Sequence, residues 1–275
     1  MKKTFLIAAA LTAGLLGLAG CGGKHDDPNR ITVAASNVPH AEILEQAKPL
    51  LSEQGYDLRI QVMQDYIMPN LALANHEIDA NYFQHLPYMD TVVQEHKDDP
   101  NYDFVSAGAI HIEPIGIYSK KYKRLQDLPD NGLVLMRDAV SDEGRVLAIF
   151  QREGLITLKP GVSMVDARVS DIIDNPKHLR FQPNIEASML PQMYNNNEGD
   201  AAVINANYAL GAGLDPVHDP IALESGENNP YVNIVTVHRA DQNAPKIEAL
   251  IKALHSQQVQ DFIRTQYKGA VVPVN

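Results

Sequence analysis

Asp79-Ala80-Asn81-Tyr82-Phe83-Gln84-His85-Leu86-Pro87-Tyr88-Met89-Asp90 packs aromatic rings, an imidazole and two amides into one short stretch. Ile78 and Ala80 read as the end of a strand. From Leu86 to Gln94 the pattern turns helical, and Pro87 is tolerated in a first turn. Tyr82, Phe83 and His85 are therefore expected where a strand hands over to a helix. In open α/β sheets, ligands bind at such C-terminal strand edges. Taken alone, the stretch fits equally well with core aromatics and a loop histidine satisfied by its neighbours.

Working outward on the N-terminal side, Ile31-Thr32-Val33-Ala34-Ala35 predicts a strand. Ile43, Leu44, Ala47, Leu50 and Leu51 recur at helical spacing, with Pro49 expected to kink or shorten that helix. Leu58, Ile60 and Val62 alternate as a second strand, and Asp65-Tyr66 opens a helix to Ala74. This order of strand, helix, strand, helix, strand, helix predicts a mostly parallel sheet with right-handed crossovers. On the C-terminal side, 104–112 and 115–118 are strand-like around Glu113-Pro114, which reads as a crossing into a second lobe. Strands at 133–136, 179–181 and 201–204 and helices at 141–151 and 188–193 build that lobe. Tyr231 to Val237 is the last strong strand and marks the return. Ile247, Leu250, Ile251 and Leu254, then Val259, Phe262 and Ile263, mark two helices expected to pack back on the first lobe. The fold class is a two-lobe α/β protein with two crossings, an architecture that closes on ligands by hinge motion.

Met1 to Cys21 reads as a targeting segment, with Lys2 and Lys3, an apolar run from Phe5 to Leu18, and Leu18-Ala19-Gly20-Cys21 matching the bacterial lipobox. The run is short for a membrane span. Cys21 is the one cysteine in the chain, so an intramolecular disulfide is excluded and lipidation is expected there. The acyl chains would tether the protein to a membrane of the cell envelope, facing the periplasm or the outside. Losing Lys2 and Lys3 takes the formal charge from −11 to −13, which argues against nucleic acid as a partner. Expected divisions are a signal peptide 1–20, a tether 21–29, a first lobe of 30–114 plus 238–275 and a second of 115–237.

Several motifs together resemble the methionine-binding lipoproteins of ABC importers, the NlpA/MetQ family. They are Asp65-Tyr66 with Pro69-Asn70, Phe83-Gln84-His85 with Pro87-Tyr88, Tyr118-Ser119-Lys120-Lys121, Gly144-Arg145, Ala202-Val203-Ile204-Asn205, and Pro230-Tyr231-Val232-Asn233. The resemblance covers the mature chain. It implies a periplasmic-binding-protein-like fold that hands free methionine, or a related amino acid, to a membrane permease driven by its ATPase. Carried over position by position, it implies ligand contacts at Tyr66, Phe83, His85, Arg145, Asn205 and Asn233. The chemistry suits an amino acid, because both its charges need partners when buried. Arg145 would fork onto the carboxylate, and the oxygens of Asn205 and Asn233 would accept from the ammonium. Tyr66 and Phe83 would wall a slot for a thioether. Without the resemblance, Arg145 reads as a solvated helix residue, Asn205 as a helix cap and Tyr66 as a helix-start staple.

One stretch departs from the family. A loop of the type Pro-Asn-Asp-Pro-Ser/Thr-Asn is replaced by Arg137-Asp138-Ala139-Val140-Ser141-Asp142, which alters the charge near Arg145 and leaves the identity of the ligand open. The expectation is no enzyme, no cofactor and no metal. The alternatives are another small amino acid, a methionine-containing dipeptide, a surface lipoprotein without transport, a metal carrier using His85, His111 and Glu113, or a hydrolase built on His111 and Glu113.

Overall fold

The computed structural model describes residues 27–226 and 229–274. The signal-peptide reading of 1–20, Cys21 and most of the tether lie outside the described residues. β1 (Arg30–Ala35) leads through α1 (Glu42–Ser52) to β2 (Asp57–Val62). Helix α1 buries Ile43, Leu44, Ala47 and Leu51. It runs on through Pro49 and ends within one turn of it, before Gly55 turns the chain at φ 84°. Asp65 Oδ1 accepts the N–H groups of Ile67 and Met68 at 2.8 and 2.7 Å and so starts α2 (Met68–Ala74). β3 (Ala80–His85), α3 (Leu86–Glu95) and β4 (Phe104–Ile112) follow.

The chain then forms β5 (Gly116–Tyr118), β6 (Leu133–Arg137) and α4 (Val140–Arg152). A small ribbon, β7 (Thr157–Leu158) with β8 (Ile172–Asp174), precedes β9 (Arg180–Ile185). After α5 (Leu190–Asn195), β10 (Ala201–Ile204), α6 (Ala206–Gly211) and β11 (Ala222–Leu223), the chain returns. It ends in β12 (Val232–His238), α7 (Pro245–Leu254), α8 (Gln257–Tyr267) and β13 (Val272–Pro273).

Two main sheets result, in the orders β13-β4-β12-β3-β1-β2 and β11-β5-β10-β6-β9. Each has its own core. In the first, Ile31, Val33, Leu44 and Leu51 meet Leu250, Leu254, Val259 and Ile263, so α7 and α8 close over α1 and the sheet. In the second, Ile117, Val134, Val146, Phe150 and Val203 pack together. The molecule is a two-lobe α/β fold crossed twice by the chain. Among the described residues no helix is long and apolar enough to cross a membrane.

Two expectations are corrected. Strand β3 begins at Ala80 rather than ending there, and it carries Tyr82, Phe83 and His85 itself, all six residues buried. It lies between β1, to which it is parallel, and β12, to which it is antiparallel. Its polar residues read as a turn in the sequence because they are satisfied inside the fold. Asn81 and Gln84 both donate to Asn70 Oδ1, at 2.9 and 2.8 Å, and Gln84 reaches Thr236 Oγ1 at 3.1 Å. The second correction concerns the return crossing. β12 belongs to the first sheet, with Val232 opposite Ile112 and Asn233 opposite both His111 and His85. Its Ile234, Val235 and Val237 are buried in first-sheet cores. The crossing therefore lies before Val232, not at 237/238.

Candidate functional site

The ends of β3, β4 and β12 face α4 and α6 across a cleft. Tyr66, Phe83, His85, Tyr88, Glu113, Arg137, Arg145, Asn205, Asn207 and Asn233 line it, and the space left between them is about 30 Å³. That volume holds a water or two, so an amino acid enters only as the lobes part or side chains move. One wall is aromatic, with Tyr66 and Phe83 5.9 Å apart and Tyr66 and Tyr88 6.4 Å apart, centroid to centroid. The Arg137 guanidinium lies over this wall, 4.5 Å from the Tyr66 ring and 5.1 Å from that of Tyr88. Tyr66 also reaches across the cleft, its hydroxyl donating to Asn207 Oδ1 at 2.5 Å.

Asp142 is the hub of the second-lobe side. It accepts from Arg137 Nη1 at 3.1 Å, His85 Nε2 at 2.9 Å and Asn205 Nδ2 at 3.3 Å, with Arg145 Nη1 3.7 Å away. Burial alone would raise its carboxyl, but Arg137, His85 and Arg145 outweigh that and hold it far below the usual carboxylate range. The tautomer of His85 follows from its partners. Nδ1 accepts the Tyr88 N–H at the start of α3, so the ring proton sits on Nε2 and points to Asp142. Burial lowers the His85 pKa, and the ring is neutral.

Arg145 is held differently from the expectation. Its Nε donates to Glu224 Oε1 at 3.0 Å, and its Nη2 donates to Glu224 Oε2 and to the Glu113 carbonyl. The ring of Tyr231 lies 4.4 Å from the guanidinium. The fork expected for a ligand carboxylate is thus closed on the chain's own Glu224. Asn205 stands at the N-cap position of α6 yet makes no side-chain cap. Its amide nitrogen goes to Asp142, and among the described residues its buried Oδ1 has no hydrogen-bond partner. The oxygen of Asn233 accepts from His40 Nε2 at 3.0 Å.

Behind Asn233 lies a group that the sequence splits widely. His111 Nε2 is 2.8 Å and His40 Nε2 3.3 Å from Glu113 Oε1. On their far sides, His111 Nδ1 meets the Tyr82 hydroxyl and His40 Nδ1 meets Ser36 Oγ at 2.6 Å. These three residues have the donor types of a metal site, with ligand atoms within 4.8 Å of one another. His85, grouped with His111 and Glu113 only in the metal-carrier alternative, is turned to Asp142 instead. The proton accounting closes with both rings neutral: each Nε2–H points to Glu113 or Asn233, and each Nδ1 accepts a hydroxyl proton. Burial lowers the His40 pKa to about 4, against the charge of Glu113 and with that of His111. Burial lowers His111 to about 3.

A pH dependence follows. Above the ordinary histidine value of about 6.5 both rings are neutral folded or unfolded, and the full stability is present. As pH falls below that value the unfolded chain takes up protons first, so stability is lost towards pH 4. At pH 4.5 each ring costs on the order of 2–3 kcal/mol. Glu113, raised by burial, works in the opposite direction and offsets part of the loss. The midpoint of urea unfolding is expected to fall between pH 7 and pH 4.5, and a flat midpoint would show that the two imidazoles are not held neutral.

All six residues named from the sequence line this one cleft. The structure adds Arg137, Asp142, Tyr88, Asn207 and Glu224, with His40 and His111 behind. Arg137 and Asp142 carried a signal, since an acid and a base replace uncharged positions in one loop. Glu113 was visible only beside His111. His40 and Glu224 had no signal in the sequence, because their partners lie 193 and 79 residues away.

The sequence profile of the NlpA lipoprotein family matches residues 31–275. A Bacillus subtilis protein called methionine-binding lipoprotein MetQ is 48% identical over the full length of both chains. A Salmonella typhi protein called D-methionine-binding lipoprotein MetQ is 36% identical over 98% of this chain and 97% of its own. Among solved structures, a nutrient-binding protein from Burkholderia cenocepacia bound to methionine superposes with a TM-score of 0.82. It is 39% identical and covers 89% of this chain and all of its own. With the profile running from the first strand to the last residue and the relatives alike from end to end, the chain belongs to the NlpA lipoprotein family.

Proposed function

We propose that this protein is the substrate-binding lipoprotein of an ABC amino-acid importer, and that it holds methionine between its lobes. Cleavage before Cys21 and acylation there would anchor it in the cell envelope, with a signal peptide of 1–20 and a tether to 29. The first lobe is then 30–112 with 232–274, and the second lies between them. Closure of the cleft would present both lobes to a permease, whose ATPase drives release. No chemistry is performed on the ligand. The observation that carries this reading is the single buried cleft that gathers Tyr66, Phe83, His85, Arg145, Asn205 and Asn233 in a chain 48% identical to a relative named for methionine binding.

The ligand contacts are proposed as those six residues, with the thioether against Tyr66 and Phe83. Arg137 stands over that slot and must swing aside for methionine, together with its partner Asp142 or away from it. The same observation favours a second reading, in which Arg137 stays and a smaller amino acid fills the cleft. Titration calorimetry on the ligand-stripped chain from residue 22 tests both. Heat with L- or D-methionine at one site per chain is the expected result. Heat only with a smaller amino acid moves the substrate, and heat with no amino acid or methionine-containing dipeptide sinks the transport reading.

A further inference from the structure

The charges in and behind the cleft wall pair off, with one left over. Arg145 is bound by Glu224, and Arg137 by Asp142. His85 is neutral. Glu113 lines the same cavity and is buried, yet among the described residues its ion-pair neighbours are only His40 and His111, both neutral rings. The His111 Nε2–H and the Asn207 backbone amide donate to the carboxylate, and His40 Nε2 stands 3.3 Å off; Arg145, whose charge also acts on Glu113, is already paired with Glu224. A buried carboxylate held this way is electrostatically incomplete. A second group points the same way. Among the described residues Asn205 Oδ1 is a buried acceptor without a partner, and the donation of its amide nitrogen to Asp142 fixes which end is oxygen. The cleft therefore offers one negative charge and one open acceptor.

We infer that Glu113, completed by Asn205 Oδ1, is the seat of the ligand's primary ammonium, and that it restricts the cleft to ligands with a free amino group. The inference rests on the amino-acid reading above and deepens it. It moves the ammonium from the Asn205–Asn233 pair to the carboxylate, since Asn233 already accepts from His40. A primary ammonium has three N–H donors and one charge, which fits a carboxylate oxygen and an amide oxygen with one donor to spare. A hard metal cation fits poorly, because it takes six or more oxygens. His111 and His40 are positioning residues: the Nε2–H of His111 orients the Glu113 carboxylate, and that of His40 holds the Asn233 oxygen.

The test compares methionine with 4-methylthiobutanoate, which keeps the thioether and carboxylate and lacks the amine. Both are titrated into the wild-type chain and into Glu113→Gln, which keeps the shape and the acceptor oxygen but not the charge. Wild type is expected to prefer methionine by at least about 100-fold. Glu113→Gln is expected to lose roughly 10- to 100-fold for methionine and to change by less than about threefold for the deaminated acid. Wild type binding the two ligands within tenfold of each other overturns the inference without any variant. So does a variant that keeps its methionine affinity, or one that loses both ligands equally; in each case methionine binding by the wild type stands. If wild type binds another amino acid instead, that amino acid and its deaminated acid replace the pair and the same outcomes decide. If no ligand with a primary ammonium binds wild type, the inference and the transport reading fall together.

Discussion

Arg145→Met is expected to cost about 3–5 kcal/mol of stability, as the loss of one partner of a buried ion pair does. The side chain is 2% exposed and Glu224 8%, so solvent cannot take over the abandoned charge. Among the described residues Glu224 would keep only the Ile115 N–H at 3.1 Å, and Asp142 would lose a neighbouring cation. The pair also pins the outgoing crossing, since Arg145 donates to the Glu113 carbonyl while Glu224 holds the Ile115 amide. For a chain of this size the midpoint of thermal unfolding should drop by on the order of 10 °C. A compensating change separates the ion pair from the loss of bulk. Adding Glu224→Leu removes the stranded charge, and apolar replacement of both partners is often near neutral. The double variant should recover most of the midpoint. A single variant melting within 2 °C of wild type would show that the pair does not hold the crossing.

Gly144→Ala should destabilise the protein by about 3 kcal/mol, against the helix preference of alanine, which alone would add about 1 kcal/mol. The opposed signs make it a sharp test. A Cβ at 144 would stand 1.6 Å from the Met164 carbonyl oxygen and 2.8 Å from its carbon, both backbone atoms. The turn at 163–167 is fixed by the Ser163 carbonyl, which accepts from Asp166 and Ala167, and by Glu143, which accepts the Val169 N–H at 2.9 Å. Either this turn or α4 must move by more than 1 Å. Because Asp142 and Arg145 flank the glycine, the cleft moves with the helix, and ligand affinity should fall with stability. Urea unfolding at neutral pH gives the answer; a midpoint equal to or above wild type would mean that α4 and the turn do not approach as described.

What was legible in the sequence follows a physical divide. Elements whose pattern is local came through: the period of α1, the alternation in β2, and the i, i+3, i+4, i+7 spacing of α7. The β3 stretch reads as a turn because Asn81 and Gln84 look like turn residues until Asn70 and Thr236 are brought to them, and nothing local announces that. β12 reads as part of the second lobe for a similar reason. Its apolar run declares a buried strand but not which sheet buries it. In the cleft, the residue types were readable and their pairing was not. Arg145 looks equally ready for a ligand carboxylate or for Glu224, and only the distance of 3.0 Å decides. Glu113 acquires its meaning from what it lacks among the described residues, a charged ion-pair partner of its own, and a deficit of that kind exists only once the chain is folded.

The register that sets Val232 against Ile112 has a consequence for how the molecule is assembled. β4 and β12 are antiparallel neighbours whose adjoining ends could be joined by a tight turn. The second lobe thus stands as an insertion at the tip of a hairpin, and that hairpin belongs wholly to the first lobe. Closing it across the inserted lobe rather than a four-residue turn costs roughly 3 kcal/mol in loop entropy. While the chain emerges from its N-terminus, the first sheet lacks an inner strand until the entire insertion has appeared. The insertion, by contrast, has all of its strands in one continuous segment. The later part of the sequence is therefore free to fold before the earlier part is complete.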